Sequence, residues 1–286
     1  MSRTPSTPME ARFLDLLFSR RAVLLATIVL SAIALLCLCA PWVAPDDPAR
    51  MSVRARLTEP GMTFWLGADA FGRDVASRLL YAGRVSLGVG LGVAALSSVV
   101  GIAIGLCAGF FHRLDGPLSR LVDAMMAFPD ILLAIALVSI LGGSAVNVII
   151  ALSIVYAPRI ARIVRASTLV IRELPFVEAA TALGVSTPSV MVRHVLPNII
   201  SPIIVQATFI FAYAMLAEAG LSFLGVGIDP STPTWGTMVN EGRQYLDQAM
   251  FLILFPGLAI SVSVLALQLI GDGLRDALDP RLAKDI

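Results

Sequence analysis

The chain has 286 residues, 57% hydrophobic and 14% charged, and its mean hydropathy of +0.86 excludes a soluble globular composition, in which about a quarter of residues carry charge. Lysine and arginine total 21 against 20 aspartates and glutamates, so the net charge of +1 offers no electrostatic footprint for a nucleic acid. At about 20 apolar residues per crossing of a hydrocarbon layer about 30 Å thick, six crossings leave room for loops but for no large soluble domain.

Apolar runs cover residues 22–44, 85–111, 121–141, 146–164, 199–219 and 250–270. The first follows Arg20 and Arg21, is longer than a signal-peptide core, and lacks a small-x-small cleavage site at Leu38-Cys39-Ala40, which predicts an uncleaved anchor in the lipid. The expected organisation is all-α, a polytopic membrane bundle of six transmembrane helices. Residues 1–21 form a cytoplasmic tail, 22–44 the first crossing, 45–84 an extracytoplasmic loop, and 85–286 a core with five more crossings and a cytoplasmic tail. With both termini inside, fourteen of the basic residues fall on the cytoplasmic side and seven outside, as the positive-inside rule requires. The first outer loop runs against the rule: it holds Arg50, Arg54, Arg56, Arg73, Arg78 and Arg84, against Asp46, Asp47, Glu59, Asp69 and Asp74.

The second run carries Gly88 and Gly92, then Ser97, Gly101, Gly105 and Gly109, each set at four-residue spacing. Such a stripe of small residues lets helix backbones approach in lipid. In the third run Asp123 and Asp130 stand seven apart on one helical face, with Pro129 between them to loosen the backbone ladder. No basic residue or glutamate joins them from neighbouring apolar runs, so hydrogen bonding to adjacent helices is expected rather than an ion relay. Gln206 and Gln268 are placed in the same role or along a pathway, and Pro158, Pro202 and Pro256 predict kinks. Cys37, Cys39 and Cys107 all lie in apolar runs, and there are two histidines, so neither a disulfide framework nor a metal site is expected.

Between the fourth and fifth crossings, residues 165–197 form a polar cytoplasmic loop. A short helix starts at Pro175, tolerated in a first turn, with Glu178 near its positive end. Ala179, Ala180 and Ala182 give it very small side chains; Gly184 ends it, and Pro188 prevents continuation. Such a rod can enter a partner's groove deeply.

This loop resembles the signature of permease subunits of binding-protein-dependent ABC importers: Glu-Ala-Ala, three residues, Gly, nine residues, Ile, one residue, Leu-Pro. Here it reads Glu178-Ala179-Ala180, Gly184, His194, Leu196-Pro197, with His194 in place of the general isoleucine, a departure similar to the peptide-transport branch. Leu66-Gly67-Ala68-Asp69, Phe71-Gly72-Arg73-Asp74, Met126-Ala127-Phe128-Pro129, Glu218-Ala219-Gly220-Leu221-Ser222-Phe223-Leu224-Gly225, Pro233-Thr234-Trp235-Gly236 and the stretch from Gly271 to Arg281 are similar to the dipeptide, oligopeptide and nickel permeases. The resemblance implies the type I ABC importer permease fold in the bacterial inner membrane. It further implies a second homologous permease, two cytoplasmic ATPase subunits that bind ATP and Mg, and an extracytoplasmic solute-binding protein meeting residues 45–83 and 222–248. Residues 178–184 would be the coupling helix that docks on an ATPase. The implied cargo is a di- or oligopeptide, with nickel or another small solute as the alternative. No ATP hydrolysis is expected of the chain itself: it has no Gly-x4-Gly-Lys-Ser/Thr loop, and its single lysine is Lys284.

Two other classes fit less well. A secondary transporter would show internal repeats or several buried ionisable groups, where only Asp123 and Asp130 stand out. A membrane enzyme would need a His-Glu-x-x-His or Gly-x-Ser-x-Gly constellation, and neither occurs.

Overall fold

A computed structural model describes residues 21–278; Arg3, Arg12, Arg20, Arg281 and Lys284 lie outside the described residues. The helices are α1 (Arg21–Leu38), α2 (Val75–Phe110), α3 (His112–Met126), α4 (Asp130–Leu141), α5 (Ala145–Ile171), α6 (Pro175–Ala182), α7 (Ile200–Phe223), α8 (Trp235–Gly242) and α9 (Phe251–Leu278). Single turns join some of them, and among the described residues there is no strand beyond one bridge, Ala68 to Asp74. Among the described residues, five stretches are long and apolar enough to cross a membrane: α1, α2, α5, α9 and the run Thr187–Phe223 that ends in α7.

The third expected crossing, α3 with α4, is not one straight helix. The two halves meet at 93° across residues 127–129. Pro129 lacks an N–H and disfavours helical backbone at Phe128, so the helix stops there and restarts at Asp130 in a new direction. Proline at this point breaks the backbone ladder outright rather than loosening it. Gly142, at φ +93°, ends α4, and Ser144 caps α5 by accepting the Asn147 N–H at 3.1 Å.

Two other boundaries differ from the apolar runs. Helix α2 begins at Val75, ten residues before its run, because the Asp74 carboxylate accepts the Ser77 N–H at 2.7 Å and caps it. The fifth crossing is entered through a π-helical turn, Met191–Val195, and a 3-10 turn, Leu196–Ile199. Pro197 supplies no N–H to the Arg193 carbonyl and its ring crowds that carbonyl, so the regular bonding pattern shifts there without the chain leaving its helical path.

The centre of the fold is the parallel packing of α2 against α5. A Cβ built on Gly101 would lie 2.6 Å from Ile160 Cβ, on Gly105 2.6 Å from the Ala161 carbonyl oxygen, and on Gly109 2.6 Å from Thr168 Cβ. Contacts that advance by four residues on both helices at once mark helices running in the same direction. The small-residue ladder is thus a seam against α5 from Gly92, where a Cβ would lie 3.1 Å from Ile149, through Gly109. Gly88 faces open space, and Gly90, off the predicted stripe, is the tight position against Phe211 and Met215 of α7. A second core joins α1, α2, α7, α8 and α9 around the buried Trp235, whose ring N–H donates to the Leu79 carbonyl at 3.0 Å. That burial rules out an interfacial anchor at Trp235, whereas Trp65 is exposed.

Gly105→Leu should therefore destabilise the chain by about 1–3 kcal/mol through overpacking, read as a lower unfolding temperature in detergent. Gly88→Leu, at the same spacing on the same helix, should leave that temperature unchanged.

Candidate functional site

The α6 end of the bundle is built on the tips of α2 and α5. Arg172, capping α5, donates from Nη1 to the Gly109 carbonyl at 2.7 Å, tying the two tips together. Pro175 opens α6, and the rod lies so that Val177 and Ala180 are buried in the main core while Glu178, Ala179, Ala182 and Leu183 face outward. Leu183 is 85% exposed. Gly184, at φ +81°, terminates the rod in the left-handed conformation that favours glycine, with open space where a Cβ would point. Of the other signature positions, His194 and Leu196 are half-buried in the turns leading to α7 and Pro197 is exposed. The signature therefore divides: Glu178, Ala179 and Gly184 make an outward surface, Ala180 seats it, and residues 194–197 shape the entry to α7.

Asp123 and Asp130 each have an arginine partner on α5. Asp123 pairs with Arg162 at 2.7 Å, Asp130 with Arg159, and further along α3 Asp115 pairs with Arg165 at 2.9 Å between Oδ2 and Nη2. The expectation that no basic residue joins them is overturned. Three arginines at three-residue spacing on α5 meet three aspartates spread across the broken span; Arg159 and Arg162 already lie inside the apolar run 146–164 and Arg165 directly follows it, so the spacing was readable in the sequence. Arg159 also lies 5.3 Å from the Tyr156 ring centroid and 5.2 Å from that of Tyr213. Gln206 lines a cavity between α5, α7 and α9, and Gln268 is half-buried on α9 outside that lining. The two glutamines are not brought together.

Glu218 is a further buried ionisable group, fully enclosed on α7. Its carboxylate accepts from Ser222 Oγ at 2.8 Å and Ser86 Oγ at 3.2 Å, and Ser86 Oγ in turn accepts the Trp235 N–H at 3.1 Å. The hub joins α2, α7 and the start of α8, which a lone glutamate in an apolar run could have signalled.

At the α8 end the loop arginines that run against the charge rule are partly internal. Arg78 is 4% exposed in its side chain and pairs with Asp69 and, at 2.8 Å, with Glu241 of α8; Arg73 reaches Asp69 at 2.6 Å and Glu241 at 2.8 Å. Burial pushes the Asp69 carboxyl up, but the Arg73 and Phe71 N–H groups and the charges of Arg78 and Arg73 outweigh it and hold the group below the usual carboxylate range. These two arginines are cross-links between loop, α2 and α8, not free surface charge.

Long apolar helices, a broken span braced by ion pairs, and a small rod displayed at one end mark a polytopic membrane protein. The chain belongs to the family of binding-protein-dependent transport system inner membrane components, which it matches over residues 98–284. It is thus a permease subunit of an ABC importer, a multi-pass inner-membrane component that works with ATPase and solute-binding partners. It is 49% identical over 266 residues to a protein of Brucella suis biovar 1 provisionally named a peptide transport system permease, covering 93% of this chain and 90% of that one. A di/tripeptide transport system permease protein of Pseudomonas aeruginosa is 46% identical over 250 residues, 85% of this chain and 82% of its own. The fold is shared with a chain of the inward-facing MetNI methionine ABC transporter, at TM-score 0.56 and 19% identity over 71% of this chain and 97% of that one.

Arg78→Met leaves Asp69 and Glu241 underpaired and should cost about 3 kcal/mol or more, seen as a lower unfolding temperature and faster proteolysis of residues 45–74. Because the Asp69 pKa is lowered on folding, its contribution is complete above the ordinary carboxylate value and is lost as pH falls through the lowered one. Wild-type protection should therefore hold at pH 5 and give way only below about pH 4.

Proposed function

We propose that this chain is one half of a translocation pathway for short peptides, moved by an ATPase that grips α6. The carrying observation is the geometry of α6: a two-turn rod seated by Val177 and Ala180, with its small outward residues ending at a glycine in the left-handed region. A groove on another protein can close around alanines and glycine at backbone distance, and Glu178 adds one charge to orient the contact. In this reading the α6 end and both termini are cytoplasmic, a second homologous permease completes the pathway, and two ATPase subunits each take one coupling helix. ATP and Mg are bound by those subunits, consistent with the missing phosphate loop in this sequence.

Peptide as the cargo is supported by the names of the similar proteins from Brucella suis and Pseudomonas aeruginosa. The solute-binding protein delivers it at the opposite end, where residues 45–74 and α8 form one cross-linked surface through Arg78.

Mechanically, closure of the ATPase pair displaces α6, and the tie from Arg172 to Gly109 carries that displacement into both α5 and α2. The broken span follows, because its aspartates are paired to α5.

In a reconstituted importer, Gly184→Trp should lower ATP-dependent peptide uptake by about tenfold or more, with the chain still present in the membrane. Gly184→Asn, which tolerates the left-handed backbone without bulk, should retain uptake. Unchanged uptake with the tryptophan would refute the coupling role, and accumulation of nickel but no peptide by the wild type would refute the cargo.

A further inference from the structure

Helix α7 carries Pro202, Gln206, Phe209 and Tyr213 at intervals of four, three and four residues, which places them on one stripe. Beside it run Tyr156, Arg159 and Ile163 of α5, and Arg275 of α9 stands at the far end. At the α6 end of this stripe, between Ile163, the stretch from Pro202 to Phe209 and Arg275, lies an open cavity of about 340 Å³ whose walls mix apolar side chains with Ser201, Gln206 and Arg275; Tyr156, Arg159 and Tyr213 stand beyond it along the stripe. Such a volume is in the range of small-molecule sites. From Pro202 to Tyr213 the stripe is eleven residues long, about 16 Å at the helical rise. A di- or tripeptide, at about 3.3 Å per residue, fits inside it.

One turn beyond Phe209, the last of the cavity's α7 residues, the stripe reaches Tyr213 and, beside it, a charged pair that is only partly covered. The side chains of Arg159 and Asp130 are 31% and 37% exposed, and Tyr213 is 40% exposed. Phe209 packs on Gly271, beside the charged end of α9, so Tyr213 lies one turn, about 6 Å, to the apolar side of that boundary. Partly exposed charges at such a level require water or a polar partner, because hydrocarbon does not solvate them. Their bonding is also incomplete. Among the described residues Arg159 uses one of its five donors, Nη2 to Asp130 Oδ2, and Asp130 Oδ1 accepts nothing. The two tyrosine rings hold the guanidinium in place without consuming its donors in hydrogen bonds.

We propose that this cavity and the stripe above it form the α6-side segment of the translocation path and that the Arg159–Asp130 pair is a station for one end of a peptide at a time, Arg159 taking a carboxylate or Asp130 an ammonium. Both groups occur on every free peptide whatever its side chains, so the contact is independent of sequence, and Arg275 offers the next cation toward the α6 end. This rests on the peptide reading above.

The test uses the importer reconstituted with its ATPase and binding protein, with Cys37, Cys39 and Cys107 replaced by alanine. Tyr213→Cys should react with a membrane-impermeant thiosulfonate, and tripeptide delivered during ATP turnover should slow that reaction. Leu25→Cys, on the exposed face of α1, should stay unlabelled. Arg159→Gln should lower uptake of a tripeptide about tenfold or more, the loss expected for one charge-assisted hydrogen bond. The exchanged pair Arg159→Asp with Asp130→Arg should restore yield of the assembled complex without restoring uptake. No labelling at position 213, or full uptake by the exchanged pair, would overturn the proposal and assign the pair to bracing alone. Labelling at 213 reads the path even if Arg159→Gln fails to assemble. A wild-type complex that imports no tripeptide would instead overturn the cargo reading.

Discussion

The close approach of α2 and α5 is the contact on which the rest of the structure depends. In lipid, burial of apolar side chains does not drive helices together, so the pair relies on backbone proximity and dispersion, which Gly101, Gly105 and Gly109 make possible. Everything with a chemical role hangs on this frame. One end of α2 holds Arg78 and its carboxylate partners; the other meets Arg172 and, through it, α6. Helix α5 presents the arginines that brace the broken span. A close-packed interface has no soft layer in which a displacement can be absorbed, so the seam is suited to carrying motion from one end of the molecule to the other.

The buried or half-buried charged groups Glu218, Asp130 and Arg78 share a feature: each has at least one partner on another element. Glu218 is enclosed by hydroxyls from α2 and α7, Asp130 by Arg159, and Arg78 by a loop aspartate and an α8 glutamate. Breaking one partner of such a pair costs far more than the pair contributes against an apolar replacement. These sites therefore fix which elements must stay together, while the apolar faces between them are left to slide or to meet other chains. The Arg159–Asp130 pair is the most open of the deeper sites, with unused hydrogen-bonding capacity on both residues.

Much of this was legible in the residues. Run length and hydropathy located the crossings, and the spacing of Pro175, Glu178 and Gly184 predicted α6 with its start and stop, because proline and glycine act on local backbone alone. What the sequence concealed depended on long-range partners. The arginines at 73 and 78 read as loop charge, since nothing local announces Glu241, more than 160 residues away. The ion pairs of α5 were missed although Arg159 and Arg162 lie inside the fourth apolar run; only Arg165 fell beyond its end at residue 164, and nothing local says that this face of α5 meets the aspartates. The glycine ladder was seen, yet that Gly88 falls outside the seam while Gly90 joins the packing depends on where α5 and α7 lie. Pro129 was noticed, but the 93° between the two halves depends on how each packs on its neighbours, which the missing N–H alone does not dictate.

The central claim, that an ATPase takes hold of α6 from the cytoplasm, is tested most directly by cross-linking from its most exposed side chain. A cysteine at Leu183, which is 85% exposed, should form a disulfide with a cysteine scanned through the groove of the ATPase subunit, at a yield that changes with bound nucleotide. Modification of the same cysteine in intact cells by an impermeant reagent added outside, with no cross-link to the ATPase, would contradict the account.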